Sequence, residues 1–224
     1  MENSYEEGRL LLINKPVSWT SFDVVKKLRN VLRVKKIGHA GTLDPLATGL
    51  LIVGTGKFTK KLHELQGLDK TYQGKLEIGK TTPSYDLETD FDSEKPWSHL
   101  TDVDLEAAKD KFVGEIQQIP PAHSAIKVGG ERAYKKARKN KDVKMEPRTV
   151  IIDHFEIEAS AAPEISFEVS CSKGTYIRSL AHDYGQELGV GAYLKELVRT
   201  RIGSYFLHDA IELEELIKQH HESN

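Results

Sequence analysis

Two hydrophobic periodicities alternate along this chain of 224 residues, and their succession limits the folds that it can adopt. Every second residue is apolar from Ile165 to Cys171, which predicts a half-buried strand. After Thr20, apolar residues recur at helical spacing from Val24 to Leu32, and basic residues take the other faces. Strands separated by helices predict an α+β fold with a mixed or antiparallel central sheet, flanked by helices and loops.

The same patterns predict the remaining elements. Strands are expected over residues 10–16, 71–79, 150–158 and 197–202, and helices after Thr101, over 177–188 and from about Ala210. Thr20 with Asp23 resembles a capping box. Residues 38–41 predict a turn, 116–130 a loop with Pro and Gly, and 131–145 a segment that is helical in part.

Charge is distributed unevenly, although the net charge is only −2. Basic residues are concentrated in 26–36 and in 127–148, whereas acidic residues dominate 86–106. The local potential decides what a surface attracts, so the two basic segments can hold a polyanion that the acidic segment repels. The alternative is a set of solvated charged faces without a partner.

Several classes of protein are disfavoured. The N-terminus has neither a basic region nor an apolar core of the kind found in signal peptides, and no apolar run is long enough to span a bilayer. The single cysteine, Cys171, excludes an internal disulfide and a cysteine-based zinc cluster, which suits a reducing cytoplasm. No metal-ligand spacing, phosphate-binding loop or serine nucleophile motif is present, so we expect no metal and no cofactor.

The stretch GHAGTLDPLATGLL, residues 38–51, contains a carboxylate in an unusual setting. Asp44 precedes a proline between glycines, and a turn is a sufficient explanation for that arrangement. A carboxylate that attacks or deprotonates must be ionised and oriented by a cation. Arg178, in the first turn of a predicted helix after Gly174, is the candidate cation, although a surface arginine is the alternative.

Five ordered blocks resemble one known family. They are INKPVSWTSFDVV (13–25), GHAGTLDPLATGLL (38–51), KTYQGKLEIGKTT (70–82), IPPAHSAIKVGGERAY (119–134) and CSKGTYIRSL (171–180). Together they resemble the TruB-type tRNA pseudouridine synthases, and they cover most of residues 9–205. The resemblance implies the pseudouridine synthase catalytic fold and isomerisation of the T-loop uridine of tRNA, without a cofactor.

The resemblance also assigns roles to individual positions. Asp44 matches the catalytic aspartate, Arg178 the arginine paired with it, and Tyr72 the tyrosine that packs against the target base and helps to remove the C5 proton. Tyr176 and Leu197 match residues that contact the base in the pocket. Two further positions are RNA-facing or structural: His39, which fills the space left by the extruded nucleotide, and Lys15, for which a Lys-Pro turn is a sufficient explanation.

The resemblance departs from many relatives at its C-terminal end. We expect a single catalytic domain over 1–224, with a basic RNA-binding insertion at about 123–148 and without the PUA domain that many relatives carry. Thr82, Ser84 and Asp86 come closest to a Thr-x-Thr-x-Asp pattern but miss its usual form, so no role is assigned there.

The expected partner is the T arm of tRNA, with no membrane, no obligatory protein partner and a cytoplasmic location. Two alternatives remain open: a non-catalytic RNA-binding or RNA-folding module, and a synthase that depends on guide RNA and partner proteins.

Overall fold

The computed structural model describes residues 4–124, 126–137, 139 and 143–222. In chain order the strands are β1 (Leu10–Lys15), β2 (Ile37–Ala40), β3 (Thr48–Thr55), β4 (Lys70–Ile78), β5 (Lys80–Thr81), β6 (Ser93–Glu94), β7 (Gly114–Gln118), β8 (Lys127–Val128), β9 (Glu131–Arg132), β10 (Arg148–Glu158), β11 (Glu164–Cys171), β12 (Ala192–Ile202), β13 (Tyr205–Phe206) and β14 (Ile211–Glu212). The α-helices are α1 (Ser4–Glu7), α2 (Ser21–Leu32), α3 (Leu62–Gln66), α4 (Asp102–Asp110), α5 (Ala133–Ala137), α6 (Ile177–Glu187) and α7 (Leu213–Glu222). Short 3-10 helices cover Gly56–Lys61, Ala159–Ala161 and Leu207–Asp209.

The chain divides into two compact units. The first contains Met1–Gln73 and Leu197–Asn224, and the second contains Gly74–Glu196. Strands β4 and β12 each have residues in both units. Within the described residues α-helices interrupt the succession of strands, and both parallel and antiparallel strand pairs occur, which confirms the predicted fold class.

The first unit is built around β3. This strand pairs antiparallel with β1 and β2 and parallel with β12, while β1 also pairs parallel with β14. Leu51 and Val53 of β3 pack with α2 and α7, whereas Leu50 and Ile52 pack with Leu62 of α3 on the other side. Burial on both faces explains why residues 50–53 form an unbroken apolar run instead of an alternating one.

Helix α2 begins where the sequence predicts it. The Thr20 side chain accepts a hydrogen bond from the backbone N–H of Asp23, and the Asp23 carboxylate accepts one from the backbone N–H of Thr20. This capping box satisfies backbone donors that the helix itself cannot. Val24, Val25 and Leu28 are buried, and the basic residues of the helix face solvent, as predicted.

In the second unit, β10 pairs antiparallel with β11 and with β7. Every second residue of β11 is buried, which confirms the predicted alternation. Phe155 of β10 packs edge-on against Phe167 and Tyr184, both at 6.2 Å between ring centroids. The Tyr184 hydroxyl donates to the carbonyl of Leu105 at 3.1 Å, so α4 and α6 are tied within this core.

Three predictions about local structure need correction. The turn predicted over residues 38–41 is wrong for residues 38–40, which belong to β2 (Ile37–Ala40), because so short a segment shows no period; the chain bends only at Gly41 (φ 87°). The predicted loop 116–130 contains the end of β7 and all of β8, since β10 supplies the pairing partner for β7. Strand β12 begins at Ala192, earlier than the predicted 197.

The predicted insertion at about 123–148 includes residues 125, 138 and 140–142, which lie outside the described residues. Its described part contains the β8–β9 hairpin and α5, so the expected partial helix is confirmed. Within the described residues, no helix combines the length and the apolar character that a membrane span requires.

Candidate active site

Asp44 lies at the first position of a tight turn between β2 and β3. The backbone N–H of Ala47 donates to the carbonyl of Asp44 at 3.1 Å, and Pro45 occupies the second position of the turn. Proline fixes the backbone dihedral that this position requires, so the turn expected from the Asp-Pro pair is confirmed. The Asp44 side chain is half-buried. Residues 41–47 are called the Asp44 loop below.

Lys15 ties the end of β1 to the Asp44 loop. Its side chain is 0% exposed, and its Nζ donates to the carbonyls of Pro16 (2.9 Å), Trp19 (2.6 Å) and Pro45 (3.2 Å). An ammonium group has three donors, so these carbonyls satisfy it fully. Burial lowers the pKa of Lys15 to about 8, and the charge of Asp44 opposes this shift. Lys15 therefore holds the first residue after Asp44.

Arg199 of β12 holds the other side of the Asp44 loop. Its side chain is 1% exposed and donates to the carbonyls of Gly41 (3.2 Å), Thr42 (3.3 Å) and Leu50 (2.8 Å). The backbones of β12 and β3 meet closely here. A Cβ atom on Gly49, whose φ is 102°, would lie 2.4 Å from the carbonyl oxygen of Arg199, so only glycine fits.

The N-terminus of α2 also fixes the Asp44 loop. The Ser21 hydroxyl accepts from the backbone N–H of Leu43 at 2.9 Å and donates to its carbonyl at 3.3 Å. The backbone N–H of Ser18 donates to the carbonyl of Pro45 at 2.8 Å. Side chains and backbone from β1, α2 and β12 therefore hold the residues on both sides of Asp44.

His39 lies on β2, beside the Asp44 loop. Burial lowers its pKa; a hydrogen bond with the backbone of Gly41 opposes the shift, and the charge of Arg199 adds to it. The imidazole is therefore neutral at pH 7. Its Nδ1 is buried, and within the described part of the chain it has no hydrogen-bond partner.

Two residues that are predicted to contact the target base, Tyr72 and Leu197, are buried in the first unit. Tyr72 of β4 and Leu197 of β12 are each 8% exposed. Leu197 immediately precedes Val198, which pairs with Thr48 in the parallel register of β12 and β3. The register therefore brings Leu197 to the end of the Asp44 loop, whereas the role of Tyr72 stays a prediction.

Arg178 is deeply buried in the second unit. Its guanidinium is 2% exposed and donates to the carbonyls of Ser84 (3.0 Å) and His123 (2.9 Å), and its Nε lies 3.6 Å from Oδ2 of Asp86. A buried arginine needs such partners because an unpaired charge there is costly. Asp86 and Ser84 are the positions to which the sequence assigned no role. The predicted pairing of Arg178 with Asp44 joins residues of different units and stays a prediction.

Tyr176 is the N-cap residue of α6 and is held by its backbone. Its N–H donates to Oε1 of Gln118 at 2.7 Å, and its carbonyl accepts from Nε2 of Gln118 at 3.1 Å. The guanidinium of Arg148 lies 4.8 Å from the centre of the Tyr176 ring. Gln118 was not predicted, because a glutamine in a Pro-rich stretch carries no sequence signal of this kind.

Tyr85 lies between Ser84 and Asp86, two of the residues that hold Arg178. Its φ is 65°, a strained value for a residue with a side chain, and its ring stacks on His182 at 3.8 Å between centroids with 17° between planes. Burial raises the pKa of Tyr85 and lowers that of His182, so both rings are neutral at pH 7. The stack covers the strained segment that presents Ser84 and Asp86.

Replacing Tyr85 with alanine or with glycine separates the stack from the strain. Both variants lose the ring, but only alanine keeps the left-handed strain. The glycine variant should therefore be more stable by about 1 kcal/mol, since that strain exceeds the extra unfolded-state entropy of glycine. Urea unfolding measures the difference. As a control, Glu106 in α4 is replaced with alanine and with glycine; there the alanine variant should be the more stable, because glycine is unfavourable inside a helix. A Tyr85→Ala variant at least as stable as Tyr85→Gly would contradict the strained backbone at position 85.

Among the described residues, no group of three or more His, Cys, Asp or Glu side chains could hold a metal ion. The first unit brings together Lys15, His39, Asp44 and Leu197 around one loop, with Arg199 as an unpredicted fifth member. Such an arrangement offers an oriented carboxylate flanked by cations beside an apolar surface.

Two family models together match most of the chain. The TruB family pseudouridylate synthase N-terminal domain matches residues 29–177, and the tRNA pseudouridylate synthase B C-terminal domain matches residues 178–224. The tRNA pseudouridine synthase B of Flavobacterium johnsoniae is 52% identical in an alignment 216 positions long, and the alignment covers 93% of this chain and 94% of that protein. The protein of the same name from Phocaeicola vulgatus is 50% identical in an alignment 217 positions long, which covers 94% of this chain and 92% of that protein.

Solved structures resemble the fold. A chain of a Cbf5-Nop10-Gar1 complex is 28% identical with a TM-score of 0.73, over 96% of this chain and 54% of that chain. A chain of an H/ACA RNP bound to a substrate RNA containing 2'-deoxyuridine is 26% identical with a TM-score of 0.71, over 96% of this chain and 53% of that one. This chain therefore spans about half the length of those two.

Proposed function

The chain belongs to the TruB family of pseudouridylate synthases, and from that premise we propose that it converts the T-loop uridine of tRNA to pseudouridine with Asp44 as the catalytic carboxylate. The observation that carries the proposal is the Asp44 turn, which lies within the matched region and is held on both sides by Lys15 and Arg199. The relatives that match over almost their full length are named for tRNA.

The reaction is an isomerisation. The glycosidic N1–C1′ bond breaks, a C5–C1′ bond forms, the proton on C5 is lost and N1 gains one, so no oxidant or reductant is needed. We propose that Asp44 acts on the ribose or the base while the glycosidic bond breaks, and that Tyr72 assists removal of the C5 proton. An ionised, oriented carboxylate suits this role.

A uridine inside a folded loop must be extruded before it can react, at a cost of a few kcal/mol in lost stacking. We propose that Tyr72 and Leu197 recover part of that stacking and that His39 fills the space that the nucleotide leaves. The buried, neutral imidazole of His39 suits such a place because it adds no charge. The family resemblance assigns Tyr176 to the pocket for the base and Arg178 to pairing with the catalytic aspartate.

Turnover on defined RNA tests the proposal. The purified chain is incubated with an unmodified tRNA transcript labelled with tritium at C5 of uridine, and release of tritium is followed while the modified position is mapped. We expect one pseudouridine, in the T loop. A transcript with cytidine at that position serves as the control and should release no tritium above background from that loop.

The outcomes separate the alternatives. An isolated chain that binds tRNA without releasing tritium would indicate a non-catalytic RNA-binding module. Turnover that appears only after a guide RNA and partner proteins are added would indicate the guided class. Modification at another position of tRNA would retain the enzyme class but contradict the T-loop assignment.

The outer face of α2 should contribute to RNA binding. Lys26 and Arg29 lie three residues apart on this face, Arg33 follows as the C-cap residue of α2, and all three are exposed. Changing all three to glutamine should weaken tRNA binding and reduce the slope of log K against log salt by roughly 0.7–0.9 per lost phosphate contact. Filter binding at several salt concentrations measures the slope. The matched control changes the exposed residues Lys57, Lys60 and Lys61 to glutamine and should leave the slope unchanged. If the wild type, the α2 variant and the control variant all have the same slope, α2 is only a solvated charged face.

A further inference from the structure

Arg199 occupies a position where an arginine is unexpected. It lies on the buried face of β12, two residues after Leu197, in a strand whose burial otherwise follows apolar side chains. All three of its hydrogen-bonding nitrogens donate to backbone carbonyls of residues 41, 42 and 50. A guanidinium is costly to bury, and carbonyl oxygens satisfy its donors without neutralising its charge. Burying a well-packed apolar side chain at this position would cost less free energy.

Arg199 and Lys15 bind backbone carbonyls on opposite sides of Asp44. Arg199 binds the carbonyls of Gly41 and Thr42, and Lys15 binds the carbonyl of Pro45. Leu43 and Asp44 are the residues left between these two attachments. The planar fork of an arginine reaches several acceptors at fixed angles, which an ammonium group cannot do.

We propose that Arg199 is the positioning residue for Asp44: its guanidinium holds the Asp44 loop through the carbonyls of Gly41 and Thr42, and it is anchored to β3 through the carbonyl of Leu50. The proposal rests on the role of Asp44 under the proposed function. Arg199 acts through the loop, and it needs no contact with RNA.

Two variants test the positioning role. Arg199→Lys keeps a buried cation but not the planar fork, so kcat should fall about tenfold while KM stays within about threefold. Arg199→Gln removes both the fork and the charge, so it should lower kcat at least as much. Turnover of full-length tRNA at one pH, below the melting temperature of each variant, measures both effects.

Lys70→Met is the matched control for stability. Lys70 is also buried in the first unit and also donates to backbone carbonyls, those of Gln66 and Leu68, both of which lie outside the Asp44 loop. The variant should lower the melting temperature while leaving the kcat of the folded enzyme unchanged. Its effects show what loss of a buried cation does to the fold alone.

The outcomes are distinct. A wild-type chain without turnover contradicts the proposed function and leaves no kcat to compare. With an active wild type, a kcat of Arg199→Gln equal to that of Lys70→Met overturns the positioning role. If Arg199→Gln does not fold, Arg199→Lys decides the positioning role: kcat equal to wild type overturns it, and a tenfold loss with little change in KM supports it.

Discussion

Asp44→Asn is expected to reduce turnover of tRNA at least about a thousandfold, which corresponds to about 4 kcal/mol of transition-state stabilisation. Asparagine has the size of aspartate but neither its charge nor its nucleophilicity. The turn should persist, because it is closed by the backbone of Ala47 and held by Lys15, Ser21 and Arg199. Affinity for tRNA should therefore stay within a few-fold of wild type. Single-turnover tritium release and filter binding measure the two quantities.

The control for Asp44→Asn is the same change at Asp104. That carboxylate accepts two hydrogen bonds from Thr101 at the start of α4, and its loss should affect stability without affecting chemistry. Turnover close to wild type in Asp44→Asn would remove Asp44 from the chemistry. A loss of tRNA affinity as large as the loss of turnover would instead indicate that the carboxylate shapes the binding surface.

Arg178→Lys is expected to lower kcat about a hundredfold or more, with a smaller change in KM. The guanidinium reaches Ser84, Asp86 and His123 from three directions, and a lysine has a single nitrogen with which to replace it. The ammonium is also more strongly hydrated and more costly to bury. Since breaking a buried pair can cost about 3–5 kcal/mol of stability, kinetics must be measured below the melting temperature of the variant.

Double-mutant analysis with Asp86→Asn isolates the pair. If the two residues act together, the double variant should be much less impaired than the product of the single effects. Arg9→Lys, a conservative change at an exposed arginine that stacks on Tyr5, is the control and should retain wild-type kinetics. A rise in KM alone in Arg178→Lys would show that the arginine binds RNA and does not organise the site.

Local signals in the sequence were sufficient for the elements that carry them. Thr20 with Asp23 and Thr101 with Asp104 both form the capping boxes that start α2 and α4. The alternation of residues 165–171 matches the burial of β11 residue by residue. The Asp-Pro pair predicts the turn at Asp44 because proline fixes a dihedral locally. In each case the physical cause acts within a few residues of chain.

The remaining features depend on residues that are distant in the chain. Asp86 and Arg178 are far apart in sequence, and the TPSYD segment departs from the family pattern that would have indicated the pair. Strand β2 forms because β3 pairs with it, and four residues cannot show a period. For Arg199 a signal was present: strict alternation from Leu197 places a charged residue on the buried face, which is a reason to expect function.

The division of the chain has a consequence for its synthesis. The first unit is made from both ends of the polypeptide, since β12, β14 and α7 come from beyond residue 191 and complete the sheet and core that begin with β1, β3 and α2. A ribosome adds roughly 5–20 residues per second, so Asp44 is added about 8 to 30 seconds before Arg199. During that time the carbonyls of Gly41 and Thr42 lack their guanidinium. A nascent chain that stops before β12 therefore carries the carboxylate without its support, and the site around Asp44 is complete only after Arg199 has been added.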